Sequence, residues 1–494
     1  MFLLSAFLSA TLALGIYGIG RSLWLDEAWV ANSVLAPSLS GMFYYPDWLQ
    51  TSPPLFLLLT RGAVQAFGVS NVAFRLVPLA LALVAVASMM AVSRRLLSAP
   101  FAALACALLV FHPTAIEYSR TCKQYSSELA ASAVILLCTV LYLQDPVRRR
   151  FCWLAGAFAL MLPMAWSTAF LLPGVALAVW ASGGIRRAVS LVLTGSGVLA
   201  ILYVVFIRPN LSPALRAYWI ATAQNLSPGL VAAVVFCVAA ALRAVFTFNR
   251  QPDSRTSSIR VRMQIAAVLP CLLLALSDAF HWYPSSPRTR LFALPCFLLV
   301  AAMNAEDLCR WLIGAASVGA RRAAAFVGAA AWLTAIGVGS EAVWKQVRGH
   351  QNQPAEDFAG AVQFLRQHVA PSDLLMINAS VIEGFKLYTV MEGWHDHKAI
   401  YGDTGWPCCA RDRIAAPGAS TERAVFEDLD RKIPKGFAGR VWLLYSARHT
   451  HWVYAGLDEG VLWRAHLMDR GCPPGPYRVL ENIAISAMDC VKTP

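Results

Sequence analysis

Arg75-Leu76-Val77-Pro78-Leu79-Ala80-Leu81-Ala82-Leu83-Val84-Ala85-Val86-Ala87-Ser88-Met89-Met90-Ala91-Val92-Ser93-Arg94-Arg95 is the stretch that decides the fold class. Residues 76–93 contain no acid or base, and arginines stand at both ends. A membrane-crossing helix needs about 20 such residues. Similar charge-free runs occupy 1–20, 96–116, 151–185 and 217–242. The run 151–185 is long enough for a hairpin of two short helices, with Pro163 near its turn. The chain reads as a polytopic α-helical membrane protein. Its N-terminus has a signal-like apolar core without a basic region beyond the amino group. It runs into Arg21-Ser22-Leu23-Trp24 with no small-residue cleavage site, and so reads as an uncleaved first span.

Composition agrees. Of 494 residues 58% are hydrophobic and 14% charged, against about a quarter charged in soluble proteins. Residues 1–340 hold 10 acids and 24 bases, and residues 341–494 hold 18 and 17, so the two parts are formally +14 and −1. This excludes a single soluble globule, a disordered chain and a nucleic-acid binder, because the positive excess belongs to the membrane part. The expected division is a membrane domain at 1–340 and a soluble domain at 341–494.

Basic clusters set the topology: Arg94-Arg95, Arg148-Arg149-Arg150, Arg186-Arg187, Arg243 to Arg262, and Arg310 to Arg322. With all five in the cytoplasm, spans alternate near 99–116, 127–144, 151–165, 167–181, 188–207, 229–248, 264–280, 290–304 and 323–340. Loops 21–53, 117–126, 208–228 and 281–289 then face outward, as does the tail. Residues 54–68 are short and contain Arg61, so a partial or re-entrant segment is expected there. The total is about 11 crossings in an inner (cytoplasmic) membrane, with the tail periplasmic or otherwise extracytoplasmic.

The tail reads as a small α/β domain. Helices are expected over Glu356 to His368 and Val381 to Tyr388, and strands over Leu374 to Ile377 and Arg440 to Tyr445, with a turn at Pro371-Ser372-Asp373. No glycine-rich phosphate loop occurs. Eight of the 12 cysteines lie in or near spans, where Cys acts as a small apolar residue. In an oxidising compartment, Cys408, Cys409, Cys472 and Cys490 offer a disulfide. His395-Asp396-His397 and His449-Thr450-His451 read more simply as loop histidines than as metal ligands.

Ionisable residues at a bilayer are expensive, so those present are candidates for function. Asp26-Glu27 follows the first span, flanked by Trp24 and Trp29; spacing alone leaves an interfacial aromatic belt and a catalytic acid pair equally open. Ser52-Pro53-Pro54-Leu55 opens an apolar segment, and alone reads as a helix cap. Arg120-Thr121-Cys122-Lys123-Gln124-Tyr125-Ser126-Ser127-Glu128 contains the only lysine of the first 340 residues. A helix beginning at 125–128 would put Tyr125 and Glu128 on one face. Arg288-Thr289-Arg290 lies on the outer side against the charge trend, which an anionic phosphate would explain.

Taken in order, these motifs resemble the GT-C superfamily of membrane glycosyltransferases. The nearest likeness is to bacterial relatives of dolichyl-phosphate-mannose protein mannosyltransferases and of the transferase that adds aminoarabinose to lipid A. The resemblance covers Asp26-Glu27, Pro53-Pro54-Leu55, Gly68 with Arg75 to Pro78, Lys123 to Ser126, and Arg290 with Pro295. Three positions depart from the pattern. Glu128 stands where Asp is frequent, Leu291 follows Arg290 where Tyr is common, and Thr51-Ser52 replace the Glu-Lys of the lipid A branch. The last argues against aminoarabinose transfer specifically.

The resemblance implies an inverting enzyme that moves a sugar from a polyprenyl-phosphate carrier to a glycan, lipid or protein acceptor. It implies Asp26 as base, Glu27 as an acceptor-orienting group and Glu128 as a second site acid, with a divalent ion (Mg or Mn) at Glu27 or Glu128. Lys123, Arg290, Arg120 and Arg288 would hold the phosphate, and Trp24, Gln124 and Tyr125 would position substrate. Membrane lipids are the other partners, and the lipid tail would lie between spans. A lipid-linked glycan transporter would place charges along helices. An O-antigen ligase or polymerase would carry a long loop between late spans. A sensor scaffold would leave the Asp-Glu and Lys-Gln-Tyr clusters unexplained.

Overall fold

The computed structural model describes residues 2–44, 52–210, 255–280, 286, 288–314, 356–378, 381–394, 422–433, 436–446 and 459–491. Two compact units emerge. The first comprises Met1–Ile19, Thr51–Ala63 and Arg75–Gln351; the second comprises Gly20–Gln50, Val64–Phe74 and Asn352–Pro494.

Among the described residues, five helices are long and apolar enough to cross a membrane: Asn71–Leu96, Tyr125–Gln144, Ile185–Asn210, Ser258–Ala279 and Leu291–Arg310. A sixth span forms if Ala99–Val110 and Pro113–Ser119, bent by 60° between them, count as one. The bend falls at Pro113, whose ring nitrogen cannot donate to the preceding turn. Phe2–Ile16, Pro54–Phe67 and Trp166–Trp180 are apolar but shorter. The spans expected at 229–248 and 323–340 lie outside the described residues. Where the hairpin was expected, over 151–185, the chain forms helices Arg148–Met161 and Trp166–Trp180 with Pro163 in the turn between them.

Two contacts show how the membrane helices are held. A Cβ at Gly174 would come within 2.7 Å of the Ala266 carbonyl oxygen, so glycine allows the Leu171–Trp180 helix to approach the Arg255–Ala279 helix. Small residues play this part in lipid, where burial between helices has little driving force. The second contact is ionic. Arg260 Nη1 meets Glu306 Oε2 at 2.8 Å, and its Nη2 meets Asp307 Oδ1 at 2.7 Å. The same guanidinium donates to the carbonyls of Leu96 and Met303. Glu306 Oε1 accepts from Ser98 N at 3.0 Å and from Arg310 Nη2 at 2.9 Å. One buried carboxylate and one buried guanidinium thus join the end of the Asn71–Leu96 helix, the start of the Arg255–Ala279 helix and the end of the Leu294–Gly314 helix.

The second unit contains a four-stranded sheet of β1 (Leu374–Ile377), β2 (Gly439–Ser446), β3 (Pro474–Leu480) and β4 (Ile483–Cys490), in the order β1-β2-β4-β3. β1 pairs with β2 in parallel, and the other pairs are antiparallel. β2 and β4 are buried, while β3 is the exposed edge. Helices Phe358–His368, Ile382–Met391, Glu422–Lys432 and Glu459–Asp469 belong to the same unit. Val425, Leu429, Leu443, Trp463, Ala484 and Met488 pack as its core. The expected strands are found with nearly the expected bounds. The helix expected from Glu356 begins at Phe358, because Asp357 caps it by accepting from Gly360 N at 3.0 Å. The β3-β4 pair was not anticipated.

Arg440 and Asp489 face each other across β2 and β4, with Nε to Oδ1 at 2.6 Å and Nη2 to Oδ2 at 3.2 Å. This bidentate contact holds the guanidinium above its ordinary pKa. Cys472 and Cys490 form a disulfide, and the seven free cysteines among the described residues all lie between Cys106 and Cys309. Cys408, Cys409 and the two His-x-His motifs lie outside the described residues. The first-loop helices Leu25–Leu35 and Leu39–Phe43 are part of this second unit.

Candidate active site

In the first unit, four stretches distant in sequence meet at the start of the Tyr125–Gln144 helix. Because that helix begins at Tyr125, Tyr125 and Glu128 share a face one turn apart. Ser52 Oγ donates to Gln124 Oε1 at 3.3 Å, and Leu55 N donates to Pro163 O at 3.0 Å. The Ser-Pro-Pro-Leu motif therefore docks on both the Lys-Gln-Tyr block and the hairpin turn. Ser127 Oγ donates to Met164 O at 2.9 Å, and the Ser167 hydroxyl lies beside the Glu128 carboxyl. From the far end of the unit, the Arg288 guanidinium carbon sits 6.0 Å from the Tyr125 ring centroid, within cation–π range. The 3-10 turn Leu291–Ala293 packs on the Tyr125–Gln144 helix, and Phe292 stacks on Phe170 at 5.0 Å.

Arg290 Nη2 pairs with Asp278 Oδ2 at 3.3 Å, so this cation already has a counter-ion. Arg120 is buried and its Nη1 donates to Tyr17 O at 3.0 Å; Arg75 Nη1 donates likewise to Ile19 O at 2.8 Å. Both guanidinia cover carbonyls just past the Phe2–Ile16 helix, where positive charge complements the helix dipole. Lys123 is buried in the turn before Tyr125. Glu128 is 5% exposed, and its Oε2 has no hydrogen-bond partner among the described residues.

In the second unit, Asp26 and Glu27 occupy the first turn of the Leu25–Leu35 helix, with Trp24 at the N-cap. Acids are favoured there by the helix dipole. Glu27 is fully buried, and its Oε2 accepts from Trp24 N at 3.4 Å, turning back on its own helix start as a capping-box acid does. Asp26 is 9% exposed. Among the described residues, no three His, Cys, Asp or Glu side chains gather as a metal site. Among the described residues, neither Glu27 nor Glu128 belongs to such a group. Ser167 and Asp278 join the first-unit cluster without having been read from the sequence, and Ser52 was read there only as part of a helix-capping motif. Their contacts are long-range, and no local pattern marks them.

Residues 51–212 match the family model described as dolichyl-phosphate-mannose-protein mannosyltransferase. No curated protein sequence matches the chain. Among solved structures, ArnT from Cupriavidus metallidurans bound to undecaprenyl phosphate aligns with a TM-score of 0.52 at 15% identity, over 98% of this chain and 97% of that one. Its apo form aligns with a TM-score of 0.53 at 16% identity, over the same shares of the two chains. The chain shares the fold of ArnT. The Archaeoglobus fulgidus oligosaccharyltransferase complexed with Zn and sulfate aligns with a TM-score of 0.52 at 11% identity, over 96% of this chain and 71% of that one. The segment matched by the family model takes in Ser52, Lys123 to Glu128 and Ser167. Asp26, Arg288 and Arg290 fall outside it.

Proposed function

We propose that this protein transfers a sugar from a polyprenyl-phosphate carrier to an acceptor glycan, lipid or protein, with inversion, on the outer face of the membrane. One observation carries the reading: Ser52, the Lys123–Glu128 block, the Ser167 turn and Arg288, scattered over more than two hundred residues, assemble around one helix start. ArnT, whose fold this chain shares, is described as bound to undecaprenyl phosphate, and a lipid phosphate is what such cations suit.

In this scheme Asp26 takes the proton of the acceptor hydroxyl or amine. The freed lone pair forms a bond to the anomeric carbon, and the opposite bond to the phosphate oxygen breaks. Its electron pair leaves on polyprenyl phosphate, whose growing charge is met by Lys123, Arg288 and Arg290. Glu128 hydrogen-bonds a substrate hydroxyl, and Glu27 keeps the Asp26 turn in shape. Gln124, Tyr125 and Trp24 position substrate. The test is to incubate the purified protein with a panel of polyprenyl-phosphate sugars and detect released polyprenyl phosphate. Undecaprenyl phosphate alone should bind and compete. If it does not bind and no donor is consumed, the reading is wrong.

The tail disulfide and the basic clusters support an outward tail. A cysteine placed at the exposed Ser38 should be labelled by a membrane-impermeant thiol reagent from outside. Labelling only from the cytoplasmic side would move the site to the other face.

Lys123→Ala and Arg290→Ala should each weaken donor binding by about 1.5–3 kcal/mol, the range of a charge-assisted contact. Lys123→Arg should restore binding only in part, because a planar fork does not replace a compact ammonium. Donor titration alongside thermal unfolding separates lost binding from lost fold, a control needed most for Arg290, whose loss strands Asp278. Stable variants of both positions that bind donor as tightly as the parent would put the phosphate elsewhere.

A further inference from the structure

The helix that carries Asp26 and Glu27 is not held by its own loop. A helix N-terminus leaves backbone donors without intrahelical partners, and Trp24 at the N-cap supplies no side-chain acceptor. The acceptor comes from 331 residues further on: Leu25 N donates to Glu356 Oε2 at 2.9 Å. Glu356 is fully buried, and its Oε1 accepts from Ser446 Oγ, at the end of β2, at 3.3 Å. Two residues earlier, Leu23 N donates to the Tyr388 hydroxyl at 2.7 Å. That hydroxyl donates to Asn71 Oδ1 at 2.7 Å, and Asn71 Nδ2 donates to Gly20 O at 3.1 Å. Ser22 Oγ accepts from Ala359 N at 3.3 Å. Along the same helix, Asn32 Nδ2 donates to the Glu383 carbonyl oxygen at 2.9 Å and to its Oε2 at 2.7 Å. Glu383 Oε1 in turn pairs with Lys386 Nζ at 3.1 Å, and both side chains are buried.

All of these residues lie in the second unit. Stability alone does not favour this design, since a buried ion pair is often no better than apolar packing of similar volume. What a satisfied buried network supplies is rigidity and a unique geometry. The contacts concentrate on residues 20–25, the turn that aims Asp26.

We infer that Glu356 and Tyr388 are positioning residues for Asp26, which makes the C-terminal region a working part of the transferase site. This rests on the reading of Asp26 as the base. Glu356 fixes the first turn of the helix, and its charge faces the positive helix end. Tyr388 fixes the chain as it turns into that helix.

The test uses the full-length protein carrying Glu356→Gln or Tyr388→Phe. Each should lower kcat by up to about 100-fold, the loss a small misplacement of a reacting group can bring. KM for the donor should stay at the parent value, because the phosphate cations belong to the other unit. Amide hydrogen exchange over residues 20–32 should speed up, while exchange in β2 and β4 should not. Parent-like exchange over 20–32 in both variants would show that the clamp does not exist. Faster exchange with parent kcat would make it structural only, which also overturns the proposal. Tyr388→Phe removes one oxygen and carries the test should Glu356→Gln fail to fold. An active Asp26→Asn protein would remove the base reading, and the exchange measurement would still report on the clamp.

Discussion

Asp26→Asn should abolish sugar transfer while leaving donor binding near the parent value. The amide keeps the shape of the side chain in its mostly buried position and loses the basicity. A general base contributes about 10²–10⁴-fold, and the turnover loss should fall in that range. Single-turnover measurements at saturating donor isolate the chemical step from binding and release. Turnover within a few-fold of the parent would take Asp26 out of the mechanism, and Glu128, the buried site acid of the first unit, would be next to examine.

The largest expected loss of stability is at Glu306→Ala. Its carboxylate accepts from Arg260, Arg310 and Ser98 N, and its removal leaves the buried Arg260 with the partly exposed Asp307 as its counter-ion among the described residues. Breaking one side of a buried pair costs about 3–5 kcal/mol, enough to shift thermal unfolding in detergent well below that of the parent. The double replacement Arg260→Met with Glu306→Leu should recover much of this, since neither charge is then stranded. An unchanged unfolding temperature in Glu306→Ala would show that the pair is solvated or redundant.

The membrane helices were legible because lipid demands long charge-free runs, and the helix break at Pro163 because the run 151–185 is too long for one short helix. β1 and β2 were legible as short apolar strands between turn signals. β3 was not: Pro474 and Gly475 obscure it, and it lies at an exposed edge where no alternation is enforced. The site was legible in its residue types more than in their partners. Lys123, Gln124, Tyr125 and Glu128 do surround one helix start, as their spacing suggested. Arg290 was read as a phosphate cation, and its pairing with Asp278 across the turn was not visible in the sequence. Arg120 was read as a phosphate ligand, and its guanidinium donates to the Tyr17 carbonyl. Composition marks a charge as rare, but only the fold shows what neutralises it. The bonds from Leu25 to Glu356 and from Leu23 to Tyr388 span 331 and 365 residues. No local signal reaches that far.

Those two bonds also set an order of events during synthesis. The turn before Asp26 leaves the ribosome early, and its partners follow more than three hundred residues later. At about 5–20 residues per second, that is an interval of roughly 20–70 s. Throughout it, Leu23 N, Leu25 N and the Asn32 amide lack their final partners, and they must wait in water or at the bilayer surface. The nascent chain can thread its membrane helices without yet carrying a finished acid-bearing turn. A ribosome that stalls before Glu356 leaves a membrane-inserted protein whose first loop has never set. Completion of the last third of the chain thus acts as a timer on the first loop.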